Sequence, residues 1–115
     1  MVVDTLTRTL AALSDPTRRA ILAQLKNGPA TVNDLVQPFS VSQQAISKHL
    51  GYLAKAKLIR KTKEGRQSIC ELNPLPLREL EGWVMEYREF WEGAINRLDE
   101  FLKENKEVRN NGRSK

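Results

Sequence analysis

The segment SQQAISKHL, residues 42–50, decides the fold because its side chains divide between an apolar stripe and a polar face. With Ser42 as the N-cap of a helix, Ile46 and Leu50 recur at i and i+4, and Leu53 follows at i+7. The rest of the outer surface carries amide, hydroxyl and ammonium groups and no acid, on Gln43, Gln44, Ser47 and Lys48. The segment therefore predicts an amphipathic helix whose outer face suits a polar partner.

The residues before this helix predict three further helices. The first two run from 4 to 13 and from 16 to 26, where Asp15-Pro16 starts a helix and Gly28-Pro29 stops one. A brief strand at Thr31 and Val32 then precedes a short helix that Asn33 caps. The short helix and the segment helix, joined by a tight turn at 39–41, form a predicted helix-turn-helix.

The residues after the segment helix predict a hairpin and a long helix. Two β-prone stretches within 58–73 flank a turn at Gly65, with Ile69 as the inward residue of the return strand and Leu72 as the next candidate. One helix is expected over 76–105, and a disordered basic tail over 106–115. The predicted fold is mainly α with a small β-hairpin wing, a winged helix-turn-helix with N- and C-terminal dimerisation helices, as one domain over residues 1–105.

Charge is distributed unevenly along the 115 residues. Residues 42–67 hold seven basic side chains against Glu64 alone, a formal charge of +6, whereas residues 76–105 hold four basic and eight acidic side chains, a charge of −4. The basic middle favours a local polyanion-binding surface. The chain has no apolar run of membrane-spanning length and no signal peptide pattern, so we expect a soluble cytoplasmic protein and no membrane partner.

This combination predicts binding to double-stranded DNA. The second helix of a helix-turn-helix enters the major groove, where Gln43 and Gln44 suit adenine and Lys48 suits guanine or a phosphate. Ser42 and Ser47 are expected to meet phosphates or to read bases weakly. In the hairpin, basic side chains are expected to lie against the backbone or minor groove as a wing: Lys61, Lys63 and Arg66.

The only histidine and the only cysteine are interpreted as structural. His49 borders the apolar stripe and is expected to hydrogen-bond to backbone, and Cys70 is expected to be a small core or edge residue. We predict no catalytic residue, no metal site and no cofactor, hence no enzyme, because the sequence offers neither a phosphate loop nor a nucleophile with a base. A metal- or redox-gated switch at His49 or Cys70 is the weaker alternative.

The last predicted helix carries a broad aromatic stripe that one small domain cannot cover from one side. We interpret this stripe as the interface of a homodimer; the alternative is packing on the first helix of the same chain. A second functional hypothesis is a winged-helix protein-interaction module that uses the same stripe, and a small apolar inducer between the aromatics is left open. The predicted interface residues are Leu6, Leu10, Trp83, Tyr87, Trp91, Ala94, Ile95 and Leu98.

Three stretches together resemble the ArsR family of winged-helix transcriptional repressors: LSDPTRRAIL at 13–22, VSQQAISKHLGYLAKAKLI at 41–59 and EGR at 64–66. The resemblance implies a homodimeric repressor of its own or a neighbouring operon, bound to an operator of two half-sites. It places Gln43, Gln44, Ser47 and Lys48 on the family's DNA-reading positions.

The resemblance also implies a metal-independent member of that family. Members that sense metals through the helix before the turn carry a cysteine motif ahead of an Asp-Leu pair, whereas Thr31, Val32 and Asn33 precede Asp34-Leu35 here. Zinc-sensing members use histidines on the last helix, and residues 76–105 contain none.

Overall fold

The structure, a computed structural model, describes residues 4–113, with side chains to residue 106. The helices are α1 (Thr5–Leu13), α2 (Pro16–Leu25), α3 (Val32–Val36), α4 (Gln43–Lys55), α5 (Leu75–Met85) and α6 (Arg88–Arg113). The strands are β1 (Ala30–Thr31), β2 (Ile59–Glu64) and β3 (Gln67–Leu72). The predicted class is confirmed: a mainly helical winged helix-turn-helix with a small antiparallel sheet, in which α3 and α4 form the helix-turn-helix.

Side-chain caps fix the starts of the first four helices. Asp4, Asp15 and Ser42 each accept a hydrogen bond from the backbone N–H three residues on, at 2.7, 3.0 and 3.1 Å. At α3 the cap is Thr31, whose hydroxyl accepts from the Asp34 N–H at 3.1 Å while the Asp34 carboxylate accepts from the Thr31 N–H. The prediction of Asn33 as the cap is therefore wrong, because this reciprocal capping box starts the helix earlier.

The wing is a three-stranded sheet rather than a hairpin alone. Its strand order is β1-β3-β2, all antiparallel, with Ala30 opposite Cys70 on one side and Lys61 opposite Cys70 on the other. Gly65, at φ +60°, makes the turn between β2 and β3. The inward face of β3 carries Cys70, which is fully buried, and Leu72, which is partly buried against the core and confirms the second candidate. The prediction of Ile69 was one residue out of phase, because alternation along the strand places Ile69 on the other face.

The core lies under α4 and confirms its apolar stripe. Ile46, Leu50 and Leu53 have no exposed surface. They belong to a cluster of buried apolar residues from the helices and the wing: Ala12, Ile21, Leu22, Leu25, Leu35, Ile46, Leu50, Leu53, Ala56, Leu58, Ile59 and Cys70. Burial of this one face fixes which side of α4 points outward.

Helix α4 ends in a Schellman motif that the sequence did not reveal. The Leu58 N–H donates to the Leu53 carbonyl at 3.0 Å, and the Lys57 N–H donates to the Ala54 carbonyl at 3.0 Å. Lys57 occupies the left-handed position at φ +64°, which usually favours glycine. This tight turn leads α4 directly into the first strand of the hairpin.

The single helix expected over 76–105 is wrong: the structure has two helices separated at residues 86 and 87. The last turn of α5 tightens, because the N–H groups of Glu86 and Tyr87 donate to carbonyls only three residues earlier. Helix α6 then continues to Arg113, so residues 106–113 are helical instead of the predicted disordered tail, and residues 114 and 115 lie outside the described residues.

The chain divides after Leu80 into two compact units, here called the winged unit (to Leu80) and the C-terminal unit (from Glu81). A single domain over 1–105 stays a prediction. Among the described residues, no helix combines the length and apolar character that a membrane span requires.

Candidate nucleic-acid interface

The predicted reading face of α4 is open to solvent. Gln43, Gln44, Ser47 and Lys48 are all exposed. Gln44 and Lys48 lie opposite the buried stripe, and Gln43 and Ser47 lie on its flank. Ser42 is also exposed, but its hydroxyl oxygen already accepts the Ala45 N–H. Ser42 therefore shapes the helix start, and its hydroxyl proton is the group left to donate to a phosphate.

The predicted wing residues are exposed as well. Lys61 and Lys63 alternate along β2, and Arg66 follows Gly65 in the turn. Side chains of residues two apart share a face of a strand, so Lys61 and Lys63 extend from the sheet face that carries buried Ile59. Beyond the buried Ile59 this face of β2 is exposed, so both ammonium groups are open to solvent.

Three further exposed basic residues lie between Lys48 and Lys61 in the sequence and were not among the predicted site residues. Lys55 lies in the last turn of α4, Lys57 in the Schellman motif, and Arg60 at the start of β2; all three are exposed. Sequence reasoning had counted them only in the charge of the segment. They raise the basic charge between α4 and the hairpin turn, although Arg60 leaves the face of β2 opposite to that of Lys61.

Asn73 joins the three elements that meet at the base of the wing. Its side-chain N–H donates to the Lys57 carbonyl at 2.8 Å, and its side-chain oxygen accepts from the Leu75 N–H at 3.4 Å and from Arg60 at 3.5 Å. The end of α4, the first hairpin strand and the start of α5 are thereby tied to one amide. This role had no visible signal in the sequence.

The backbone partner expected for His49 is wrong, because its contacts are side chains of α2 and its cap. The ring Nδ1 lies 3.4 Å from Arg18 Nη1 and 3.9 Å from Asp15 Oδ2. The Arg18 N–H bond lowers the pKa of the Asp15 carboxyl below its ordinary value, with smaller contributions from the charges of His49 and Arg18. The carboxylate that caps α2 therefore also faces α4.

Cys70 is confirmed as a core residue. Burial raises the pKa of its thiol, an effect that the charge of Lys61 partly offsets. A raised pKa disfavours the thiolate that metal binding and oxidation require. Within residues 4–106, moreover, no three His, Cys, Asp or Glu side chains come close enough together to hold a metal ion.

The predicted interface residues of the C-terminal unit are largely exposed. Trp83, Tyr87, Trp91, Ile95 and Leu98 are between 36 and 55% exposed, and Ala94 is partly buried. Trp83 and Tyr87 form an edge-to-face pair with ring centroids 5.6 Å apart. Phe90 and Phe101, which were not in the predicted set, are the most exposed at 73 and 60%. In the winged unit, Leu10 is exposed and Leu6 partly buried.

Taken together, a short helix, a tight turn, an outward polar helix and a basic hairpin define a winged helix-turn-helix of the DNA-binding class. A family model described as a helix-turn-helix domain matches residues 13–62.

Sequence and structural similarity to known proteins identifies the family of this chain. The chain is 37% identical over 76 residues to the transcriptional repressor SdpR of Bacillus subtilis, covering 66% of this chain and 84% of that protein. It is 35% identical to the HTH-type transcriptional regulator Rv2034 of Mycobacterium tuberculosis, covering 76% of this chain and 79% of that protein. A crystal structure of an ArsR family transcriptional regulator matches at 39% identity and a TM-score of 0.72, covering 77% of this chain and 98% of that one. This chain belongs to the ArsR family of winged helix-turn-helix transcriptional regulators.

Proposed function

We propose that this protein is a cytoplasmic, homodimeric repressor that binds a two-fold operator of its own or a neighbouring operon. The observation that carries the proposal is the exposed, acid-free face of α4 beside a basic wing. Basic side chains near phosphates supply salt-dependent affinity, whereas amides in the major groove supply base discrimination. SdpR, the relative above, is itself named a transcriptional repressor.

We propose a different contact with DNA for each kind of side chain on α4 and the wing. Gln43 and Gln44 each carry a donor and an acceptor, which suits the N6 and N7 edge of adenine. Lys48 reaches a guanine edge or a phosphate, and Ser42 and Ser47 donate to phosphates. The wing residues, Lys61, Lys63 and Arg66, neutralise backbone charge beside the groove.

Dimerisation is the second part of the proposal. The apolar residues of α5 and α6 are exposed within the described chain, and burying them against a second copy removes them from water. We assign the interface to Trp83, Tyr87, Trp91, Ala94, Ile95 and Leu98, together with Leu6 and Leu10 of α1. A two-fold pair would present two α4 helices about 34 Å apart, one turn of DNA.

We further propose that binding needs no metal, because the residues ahead of Asp34-Leu35 are not soft ligands and Cys70 is buried. Whether a small molecule releases the operator is a separate question. We also propose that the chain is not an enzyme and has no catalytic residue.

The test begins with selection of duplexes from a random-sequence pool by the full chain, followed by fluorescence anisotropy on the recovered duplex. Lys48→Ala and Gln44→Ala should each weaken binding by about 1–3 kcal/mol, and Gln44→Ala should relax base preference at one position per half-site. Lys103→Ala removes the same charge as Lys48→Ala from the exposed surface of α6 and should leave affinity unchanged.

Two results would contradict the proposal. One is a selection that enriches no consensus. The other is an affinity for the recovered duplex that Lys48→Ala and Gln44→Ala leave at the parent value, which would place the reading surface elsewhere.

A further inference from the structure

Arg18 lies at the N-terminal end of α2, and its guanidinium contacts two other helices. At α1 it donates from Nε to the Ala12 carbonyl at 2.8 Å and from Nη2 to the Ala11 carbonyl at 3.1 Å. At α4 its Nη1 lies 3.4 Å from His49 Nδ1, and its central carbon lies 4.0 Å from the centroid of the Tyr52 ring. We infer that Arg18 is a positioning residue that orients α4 and so sets the base discrimination of the repressor.

The chemistry of these contacts requires a guanidinium. The C-terminal end of α1 carries the negative end of the helix dipole, which favours a cation. The Ala12 carbonyl accepts the Arg18 Nε–H, whereas the Ala11 carbonyl also accepts the Ser14 N–H at 3.2 Å and the Ser14 hydroxyl at 2.6 Å, so the Nη2 bond adds to those. The same planar cation stacks on an aromatic ring and still has a nitrogen free for His49. A lysine ammonium has the charge but cannot hold all four contacts in this fixed arrangement.

The contacts on α4 adjoin the reading face. His49 follows Lys48 directly, and Tyr52 lies one helical turn beyond Lys48. The buried stripe fixes which side of α4 points outward, but apolar contacts are non-directional and define the last few degrees of rotation about the helix axis less sharply than a directional contact does. A charged, directional contact beside Lys48 fixes that rotation, and with it the direction in which Gln44 and Lys48 point.

Arg19 provides an internal control. It is the next residue, and it too donates to a carbonyl at the end of α1, from Nη1 to Leu13 at 2.6 Å. Within the described part of the chain it forms no hydrogen bond with α4. Substitutions of Arg19 therefore change charge and a carbonyl contact, as those of Arg18 do, without releasing α4.

This inference rests on the proposed function, and the experiment uses the duplex that the parent chain selects. Dissociation constants for that duplex and for a scrambled duplex are measured with Arg18→Lys, Arg18→Gln, Arg19→Lys and Arg19→Gln. Measurements are made at a temperature at which circular dichroism shows each variant folded. Both Arg18 variants should lower the ratio of scrambled to selected dissociation constants by about tenfold, the value of roughly one base contact.

The controls separate positioning from folding. Arg18→Lys should leave the constant for the scrambled duplex within about twofold, because the charge that drives non-specific binding is retained. The Arg19 variants should keep the parent's ratio. Tyr52→Leu removes the ring on which Arg18 stacks. Because Tyr52 is 44% exposed, this variant should fold, and it should lower the ratio of dissociation constants by a smaller factor than the Arg18 variants do.

A spectroscopic measurement reports the contact itself. Arginine can only donate, so a hydrogen bond between Arg18 and His49 requires Nδ1 as the acceptor, with the ring proton on Nε2. The chain has one histidine, so a long-range ¹H–¹⁵N spectrum should show a single unprotonated Nδ1 that shifts in Arg18→Gln and not in Arg19→Gln.

The outcomes are distinguishable. A parent that selects a consensus while both Arg18 variants keep its discrimination ratio would overturn the role of Arg18 alone. A Nδ1 signal that Arg18→Gln leaves in place would overturn the contact. A parent that selects nothing would overturn the proposed function, and this inference would fall with it.

Discussion

The two units of the chain use apolar residues in opposite ways. Within the winged unit, twelve apolar residues are buried, eight of them without any exposed surface. Within the C-terminal unit, every described side chain from 81 to 106 is exposed except at Gly93 and Ala94, although the stripe includes two tryptophans and two phenylalanines. The winged unit buries its own apolar stripe, whereas the C-terminal unit leaves its apolar stripe exposed, as binding surfaces do.

Charge separates the two regions as well. Residues 42–67 carry +6, and residues 76–105 carry −4. An acidic, aromatic helix is a poor ligand for DNA, so its apolar face is better matched to another copy of itself. The contrast supports the proposed division, with DNA bound by the first region and a second copy of the chain by the other.

The largest expected effect concerns the exposed stripe. Ile95→Glu combined with Leu98→Glu places four charges in a two-fold interface and removes four apolar side chains, each worth roughly 1.5 kcal/mol or more when buried. Sedimentation velocity should show a monomer for this variant and a dimer for the parent. Asn96→Glu adds one negative charge per chain, half that of the double variant, on the opposite side of α6 and should remain dimeric. An Ile95→Glu, Leu98→Glu variant that also remains dimeric would contradict the assignment of the stripe to the dimer interface.

The second effect concerns the buried stripe. Leu50→Ala should lower the free energy of unfolding by about 2–5 kcal/mol, because it opens a cavity in a site with no exposed surface. Urea denaturation measures this change. Gln44→Ala, on the exposed face of the same helix, should change it by less than about 0.5 kcal/mol. A loss below about 1 kcal/mol for Leu50→Ala would mean that the winged unit does not depend on this core.

A smaller effect concerns the junction between α4 and the wing. Lys57→Gly should raise the free energy of unfolding by about 1 kcal/mol, because glycine adopts the left-handed conformation without a Cβ clash. Lys55→Gly removes the same charge two residues earlier, where the backbone is helical, and should lower stability by roughly 1 kcal/mol. Urea denaturation measures both changes. If both variants shifted the urea midpoint in the same direction relative to the parent, the Schellman geometry would be contradicted.

The smallest expected effect is a loss of folding stability at acidic pH that depends on Asp15. Because the folded-state pKa of Asp15 is lowered from 3.8, its contribution to stability is present above that value and is lost as pH falls through the lowered pKa. Asp15→Asn keeps a capping oxygen but cannot titrate, so the parent's advantage over it should hold at neutral pH and vanish in acid. Urea midpoints across pH measure this, with Asp99→Asn as the control for net charge. An advantage that does not change with pH would contradict the assignment.

Features set by neighbouring residues were predictable from the sequence. The Ser42 cap, the stripe of Ile46, Leu50 and Leu53, and the Gly65 turn each depend on residues a few positions apart. The exposure of the reading face follows from the same periodicity, because burial of one side of a helix fixes the other.

Features set by distant residues were not predictable. The pairing of β1 with β3 makes Cys70 the inward residue, and it joins residues about 40 positions apart. The contact of Arg18 with His49 spans 31 positions, so local patterns could not indicate it, and a backbone partner was predicted for His49 instead. The break between α5 and α6 occurs without proline or glycine at 86–87, and local propensity carried no signal for it.

The most direct test of a dimeric, sequence-reading repressor is hydroxyl-radical footprinting of the full chain on its selected duplex. Two α4 helices related by a two-fold axis should protect two symmetric half-sites centred about one helical turn apart, or a multiple of it. Ile95→Glu with Leu98→Glu should lose the paired pattern at the same protein concentration. Uniform weak protection, or a single unpaired patch from the parent chain, would contradict the claim.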